Sequence, residues 1–200
     1  MPPGAVPEAA LAARWLLAGR RLEMQGLADE LGVARVTLHR RTGGREPLLA
    51  DALWLLTERT LRRAGQRWDA ERPPGALSAP GVARHLNALV AASPVLRTLL
   101  DSEPALAIRV LTDPRGKVQA GVVRHVEALL RRDVEHGWVP LIEPAEMAYA
   151  LVRLGESFLY ADVLAARRPD VETADRLQQA LLSAGRPRAP RPTADGAAHR

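Results

Sequence analysis

The chain has 200 residues, a formal net charge of +5 and no cysteine. That length can close a large hydrophobic core without covalent help, and the lack of cysteine removes a disulfide framework, a thiolate metal site and a cysteine nucleophile from consideration. The basic balance is weak evidence for nucleic acid, because three of the five net charges lie in residues 186 to 200, where Arg186, Arg188, Arg191 and Arg200 stand against the single acid Asp195.

The first residues, MPPGAVPEAALAARWLLAG, lack a basic start, and Glu8 and Arg14 interrupt their apolar stretch, which argues against a signal peptide. No later run reaches the roughly 18 apolar residues of a membrane span. The expectation is a cytoplasmic protein without a membrane partner. Seven aromatic residues and little period-2 alternation leave almost no strand signal, whereas helical periodicity punctuated by proline runs throughout.

In chain order, a first helix is expected over 8–19, with Leu11, Trp15, Leu16 and Ala18 at helical spacing and Gly19 ending it. A second, 24–31, presents Met24, Leu27, Ala28 and Leu31 on one face, and Gly32 follows as a left-handed cap. The third, 34–41, is too short to be stable alone. A fourth starts at Gly44-Arg45-Glu46-Pro47 and continues to about residue 69, and its stretch Ala52-Leu53-Trp54-Leu55-Leu56 is apolar all round, as in a helix covered on several sides. After the loop at 71–81, helices are expected at 81–92, 94–101, 103–112, 114–136, 144–167 and 170–184. The fold class is therefore all-α. The Pro/Arg/Ala-rich segment 186–200 reads as a disordered tail.

Residues 22–49, LEMQGLADELGVARVTLHRRTGGREPLL, carry the functional signal. The second and third helices with Gly32-Val33 between them form a helix-turn-helix, which crosses the phosphate backbone with one helix and lays the next in the major groove. Arg35, Arg40, Arg41 and Arg45 occur with no acid between Val33 and Arg45, and small or polar residues interleave them. A valine or threonine methyl can touch a thymine methyl, so Arg35, Val36 and Thr37 are the candidates for base reading.

Leu27-Ala28, Gly32-Val33, Thr37-Leu38, Glu46 and Leu48-Leu49 fall in register with the pattern of the TetR family of one-component transcriptional regulators, which the segment resembles. In that family the tyrosine after Thr-Leu and the lysine before the glutamate usually contact phosphate, and the threonine contacts backbone or base. Carried over, those roles fall on His39, Arg45 and Thr37; Arg40 and Arg41 complete the candidate DNA-binding set. Two departures stand out. His39 replaces the tyrosine and, if protonated, would add charge as pH falls. Thr42 and Arg41 replace aromatics, so the head is either less tightly cored than usual or filled by Trp15.

The resemblance implies a helix-turn-helix domain at 1–46, a larger helical effector-binding and dimerisation domain at 47–185, and the tail at 186–200. It implies a homodimer on a double-stranded operator, a small-molecule effector, and repression relieved by ligand. Ala148, Val152, Gly155 and Leu159 form a small-residue stripe that would serve the dimer interface, while Met147, Leu151, Leu154 and Phe158 make a second apolar stripe; the alternative is a core helix in a monomer. Candidate effector-pocket residues are Trp54, His85, Arg109, Trp138, Tyr149, Arg153, Glu156 and Tyr160, any of which could instead be structural. Arg109 and Glu156 each lie in an apolar stretch and need a partner or a ligand; they could pair with each other. The run RWLLAGRRLEMQGLADELGVARVTLHR resembles the QsdR-like branch, named for regulation of quorum-signal degradation, which implies a lactone or related acyl effector.

No metal, cofactor or catalytic site is expected. His125 and His136 are eleven apart without a neighbouring ligand, and there is no Gly-rich phosphate loop, no Gly-x-Ser-x-Gly elbow and no recognisable carboxylate pair. The rival to a regulator is a non-catalytic helical module that binds small molecules or docks a protein and keeps a vestigial DNA-binding head.

Overall fold

A computed structural model describes residues 7–187. Its helices are α1 Pro7–Leu17, α2 Met24–Glu30, α3 Arg35–Thr42, α4 Arg45–Glu71, α5 Ser78–Ala91, α6 Pro94–Ser102, α7 Pro104–Thr112, α8 Lys117–Glu135, α9 Pro144–Leu159, α10 Ala161–Ala165 and α11 Val171–Ser183. Two residue pairs, β1 Trp138–Val139 and β2 Arg186–Pro187, form a short antiparallel bridge. The all-α expectation holds, and no described helix is long and apolar enough to cross a membrane.

Helices α1 to α3 close on the first turns of α4. Leu27, Ala28, Leu38, Leu48, Leu49 and Ala52 are fully or almost fully buried there. Trp15 supplies the volume that the missing aromatics leave: it is 5% exposed, its indole N–H donates to Glu30 Oε2 at 2.8 Å, and Arg20 lies over its ring at 3.4 Å. A Cβ on Gly26 would come within 2.7 Å of that ring, so α2 can approach only because residue 26 has no side chain. Gly32 takes the left-handed conformation expected of it, with φ +67°.

Beyond the head, α4 runs on as the spine of a helical body. Its Trp54 and Trp68 lie flat against glycines: a Cβ on Gly121 of α8 would fall 2.1 Å from Trp54, and one on Gly81 of α5 would fall 2.0 Å from Trp68. The apolar circumference of α4 is thus used on several sides, as its sequence implies. The core divides into two clusters, one joining the head to α6, α7 and Tyr160, the other formed by α5, α8, α9, α11 and Trp138.

Local chemistry moved several boundaries. The segment expected as one helix over 144–167 breaks at Tyr160, and α10 then ends on a left-handed Ala166 (φ +51°). Helix α8 begins at Lys117 instead of Pro114, because Asp113 and Gly116 close a turn first. Arg186 and Pro187, expected in the tail, pair with Val139 and Trp138; residues 188–200 lie outside the described part.

At the start of α5 no side chain caps locally, and the buried Asp133 of α8 accepts from the backbone N–H of Ser78 at 2.7 Å and of Ala79 at 2.8 Å. Replacing Asp133 by Ala leaves both donors unsatisfied and should cost about 2 kcal/mol. Thermal unfolding should show the midpoint lowered by about 4–8 °C.

Candidate nucleic-acid interface and ligand cavity

Helix α3 is held by one fully buried residue, Leu38, and turned outward elsewhere. Arg35, Val36, His39 and Arg40 are exposed, Val36 by 79%, and Thr37 is half-buried. Ala34 at the N-cap offers no side-chain acceptor, so the first N–H groups of α3 are unpaired and the positive end of the helix is open. Gly43 and Gly44, with φ +75° and +111°, make the sharp turn into α4, and the His39 ring lies against Gly44. A helix of this kind can offer methyl, hydroxyl and guanidinium groups to base edges while its end and flanking arginines meet phosphate.

Two of the expected DNA contacts are otherwise occupied. Arg41 donates from Nη1 to Glu8 Oε1 at 3.2 Å, tying α3 back to α1. Arg45 donates from Nε to the Leu22 carbonyl at 2.8 Å, from Nη1 to Glu103 Oε2 at 2.7 Å, and from Nη2 to Glu103 Oε1. Arg21 Nε lies 3.3 Å from the same carboxylate. The Arg45 guanidinium, with Arg21 adding to it, holds the Glu103 carboxyl below its ordinary range against the opposing pull of burial. Sequence spacing exposes the arginines but cannot reveal acids 33 and 58 positions away.

In the body, α4, α5, α6, α8 and α9 line a partly open cavity of about 510 Å³. Its walls are largely apolar, with Leu53, Leu56, Leu86, Leu89, Val122 and Leu159 among them; Arg59 and Arg63, both exposed, lie at its rim. Polar groups gather on α5, α8, α9 and α11. Gln119 Nε2 donates to both oxygens of Glu156 at 2.9 Å, and Arg153 Nη1 reaches Glu156 Oε2 at 2.7 Å. Burial raises the Glu156 pKa against those two partners. It also raises that of the Tyr160 phenol, and the Glu156 charge adds to the effect. Asn87 Nδ2 donates to Gln178 Oε1 at 2.8 Å and to Asp175 at 2.5 Å, while Gln178 Nε2 donates to the Leu151 carbonyl. Gly155 fits beside them because an added Cβ would stand 3.2 Å from Gln178 Nε2.

Of the expected pocket residues, Glu156 and Tyr160 line this cavity and six do not. Trp54 packs on Gly121, Trp138 is buried beside Gly185, His85 pairs with Glu71 outside, and Tyr149 is 51% exposed. Arg153 is an outer residue that touches the cavity only through Glu156. Arg109 pairs with Glu46 at 2.7 Å, not with Glu156. The residues the sequence reading missed, Asn87, Gln119 and Gln178, are neutral amides set where helical periodicity calls for apolar residues. That mismatch was the available signal.

The stripe expected at a dimer interface faces inward: Ala148 is fully buried, and Val152, Gly155 and Leu159 line the cavity. Val152, Gly155 and Leu159 thus face a ligand-sized space within the subunit. The outward faces of α9 and α11 carry Tyr149, Leu177 and Leu181, continued by Val139, Leu141 and Ile142 before α9, all between 38% and 57% exposed.

The family model described as "Tetracyclin repressor-like, C-terminal domain" matches residues 74–183. Among solved structures, the R. erythropolis transcriptional repressor QsdR from the TetR family aligns with a TM-score of 0.78 and 30% identity, over 92% of this chain and 95% of that one. The TetR family transcriptional regulator PfmR from Thermus thermophilus aligns with a TM-score of 0.43 and 20% identity, over 89% and 98%. No curated protein matches by sequence.

Because the Glu103 pKa is lowered on folding, its contribution to stability is present above the ordinary glutamate value of about 4.3 and is lost as pH falls through the folded value. Glu156 has the opposite sign: its raised value makes stability fall as pH rises above that ordinary value through the folded one. Urea titrations between about pH 3 and 7 should show a flatter acid limb for Glu103→Gln than for the parent, and loss of the opposing slope in Glu156→Gln.

Proposed function

The chain belongs to the TetR family of transcriptional regulators, and from that premise we propose that it is a dimeric repressor of a palindromic operator, released by a small apolar effector. That it is a DNA-binding transcriptional regulator follows from the family. The observation that carries the reading further is the outward face of α3, where Arg35, Val36 and Thr37 stand at an uncapped helix start and the exposed His39 and Arg40 follow in its last turn. Residues 1–46 serve as the reading head, and 47–185 serve as the body that binds effector and partner.

One head covers one half-site, so useful specificity requires two heads about 34 Å apart or a multiple of that spacing. The exposed apolar band of Tyr149, Leu177 and Leu181 on two adjacent helices favours a second copy of the chain as its cover, with four helices meeting across a two-fold axis. For the effector, a cavity of about 510 Å³ with apolar walls and a cluster of amides, a carboxyl and a phenol fits a lactone or related acyl compound, whose chain takes the walls and whose carbonyl group takes the donors. The resemblance of residues 14–40 to the QsdR-like branch implies the same class. Release then follows from population shift: a ligand that fits one arrangement of the body better moves the heads by its differential affinity.

Selection of duplexes from genomic fragments at controlled salt should return a two-fold symmetric site, and medium-chain lactones should release it. Arg40→Ala should weaken all duplexes and reduce the salt slope by about one, while Thr37→Ala should alter sequence preference. Absence of duplex binding at low salt would defeat the regulator and favour a helical binding module with a vestigial head. Light scattering at micromolar concentration should give a dimer mass, and Leu181→Glu should give a monomer with at least about tenfold weaker operator binding; a monomeric parent removes the dimer.

A further inference from the structure

We propose that Glu103 is a positioning residue for DNA binding, an internal stand-in for a backbone phosphate that withholds Arg45 and Arg21 from the duplex while the α6–α7 junction is seated against the head. This rests on the head being a DNA reader. A guanidinium grips a carboxylate and a phosphate through the same fork of N–H donors, so the two acceptors compete for one set of atoms. Here Glu103 takes the Nη1 and Nη2 side of Arg45, the Leu22 carbonyl takes Nε, and Arg21 flanks the carboxylate. Arg45 begins α4 immediately after the Gly43-Gly44 turn that ends α3, beside the exposed face that carries Arg35, His39 and Arg40. The Arg45 guanidinium at that turn is thus directed to the body.

Glu103 is mounted to respond to the cavity. It is the single residue between α6 and α7, its backbone N–H donates to Leu99 and its carbonyl accepts from Ala107, so it cannot move without both helices. The same helices line the cavity through Val95 and Leu96 on one side and Leu111 on the other. An occupant that presses α6 and α7 toward the head keeps the carboxylate on Arg45; an arrangement that lets them withdraw frees two guanidinium groups for phosphate. In the arrangement described, the carboxylate is on Arg45. The Arg109–Glu46 and Lys117–Asp51 pairs also join the body to α4, but they lie on exposed surface beyond the turn and leave Arg45 untouched.

The test uses the full chain and a duplex of about 30 base pairs of arbitrary sequence, so that phosphate contacts alone are read, titrated between about 50 and 200 mM salt. Glu103→Gln should bind about five- to tenfold tighter at the lower salt, with a salt slope steeper by about one to two. The Arg45→Ala/Glu103→Gln pair should bind no more than about twofold tighter than Arg45→Ala, the residue of the gain belonging to Arg21. A purely structural clamp predicts lower stability with equal or weaker binding, and that result, or a full gain surviving without Arg45, overturns the proposal. If Glu103→Gln fails to fold, Glu103→Asp, which keeps the charge but retracts it, should show a smaller gain of the same sign, and no gain is equally fatal. A parent chain that binds no duplex at all defeats the regulator reading itself, a result distinct from a parent that binds and a variant that does not improve.

Discussion

One helix is common to every part of this molecule. Helix α4 has 27 residues and spans about 40 Å at 1.5 Å per residue, so it reaches from the head through the whole body. Its first turns supply Leu48, Leu49 and Ala52 to the head core, its middle supplies Leu53, Leu56 and Thr57 to the cavity, and its tryptophans seat α5 and α8. A close-packed core does not stretch: the glycines at 81 and 121 bring neighbouring backbones so near the indoles that α4 is fixed in rotation as well as position. The head core and the cavity wall are thus built on one helix.

The cavity shows the opposite use of packing. A body built for stability alone would fill about 510 Å³ with side chains, and it would not bury Glu156, whose charged form burial disfavours. Gln119 and Arg153 offset that cost only in part, and Asn87 with Gln178 places further polar groups on the same wall. An apolar space of that size beside a polar cluster makes sense where an occupant completes the core. Gly155 on α9 belongs to this wall: without a side chain it leaves room inside the body, while Ala148 on the same stripe is packed in the core.

Local physics made most of the fold legible. Proline and glycine mark element ends through φ restriction and left-handed caps, so Gly32, Pro94, Pro104 and Pro144 mark turns and helix starts. In the head, Leu38 is buried as its apolar character implies and Trp15 takes one of the two outcomes the missing aromatics left open, whereas the apolar Val36 is exposed. What the sequence concealed is long-range pairing. Arg45 and Arg41 look alike as free cations beside a recognition helix until Glu103 and Glu8 are brought to them. The six expected pocket residues that lie outside this cavity are aromatic or charged side chains, which attract notice in a sequence, whereas Asn87, Gln119 and Gln178 on its wall are neutral amides.

The pairing of Arg45 also explains why an arginine can serve at a position where the family resemblance puts lysine. A lysine ammonium is a point charge that can face phosphate freely, whereas a guanidinium can be held in a fixed orientation by a carboxylate and a carbonyl at once. Arg45 is so held, by Glu103 and Leu22, and the head is joined to the α6–α7 junction through directional bonds. Coupling between two sites in a regulator needs about 1–3 kcal/mol. Hydrogen bonds to charged groups contribute about 1.5–3 kcal/mol each when their geometry is good. A single two-pronged contact is thus sufficient in size to bias the head between two arrangements, without a distributed network and without rearranging the core of either half.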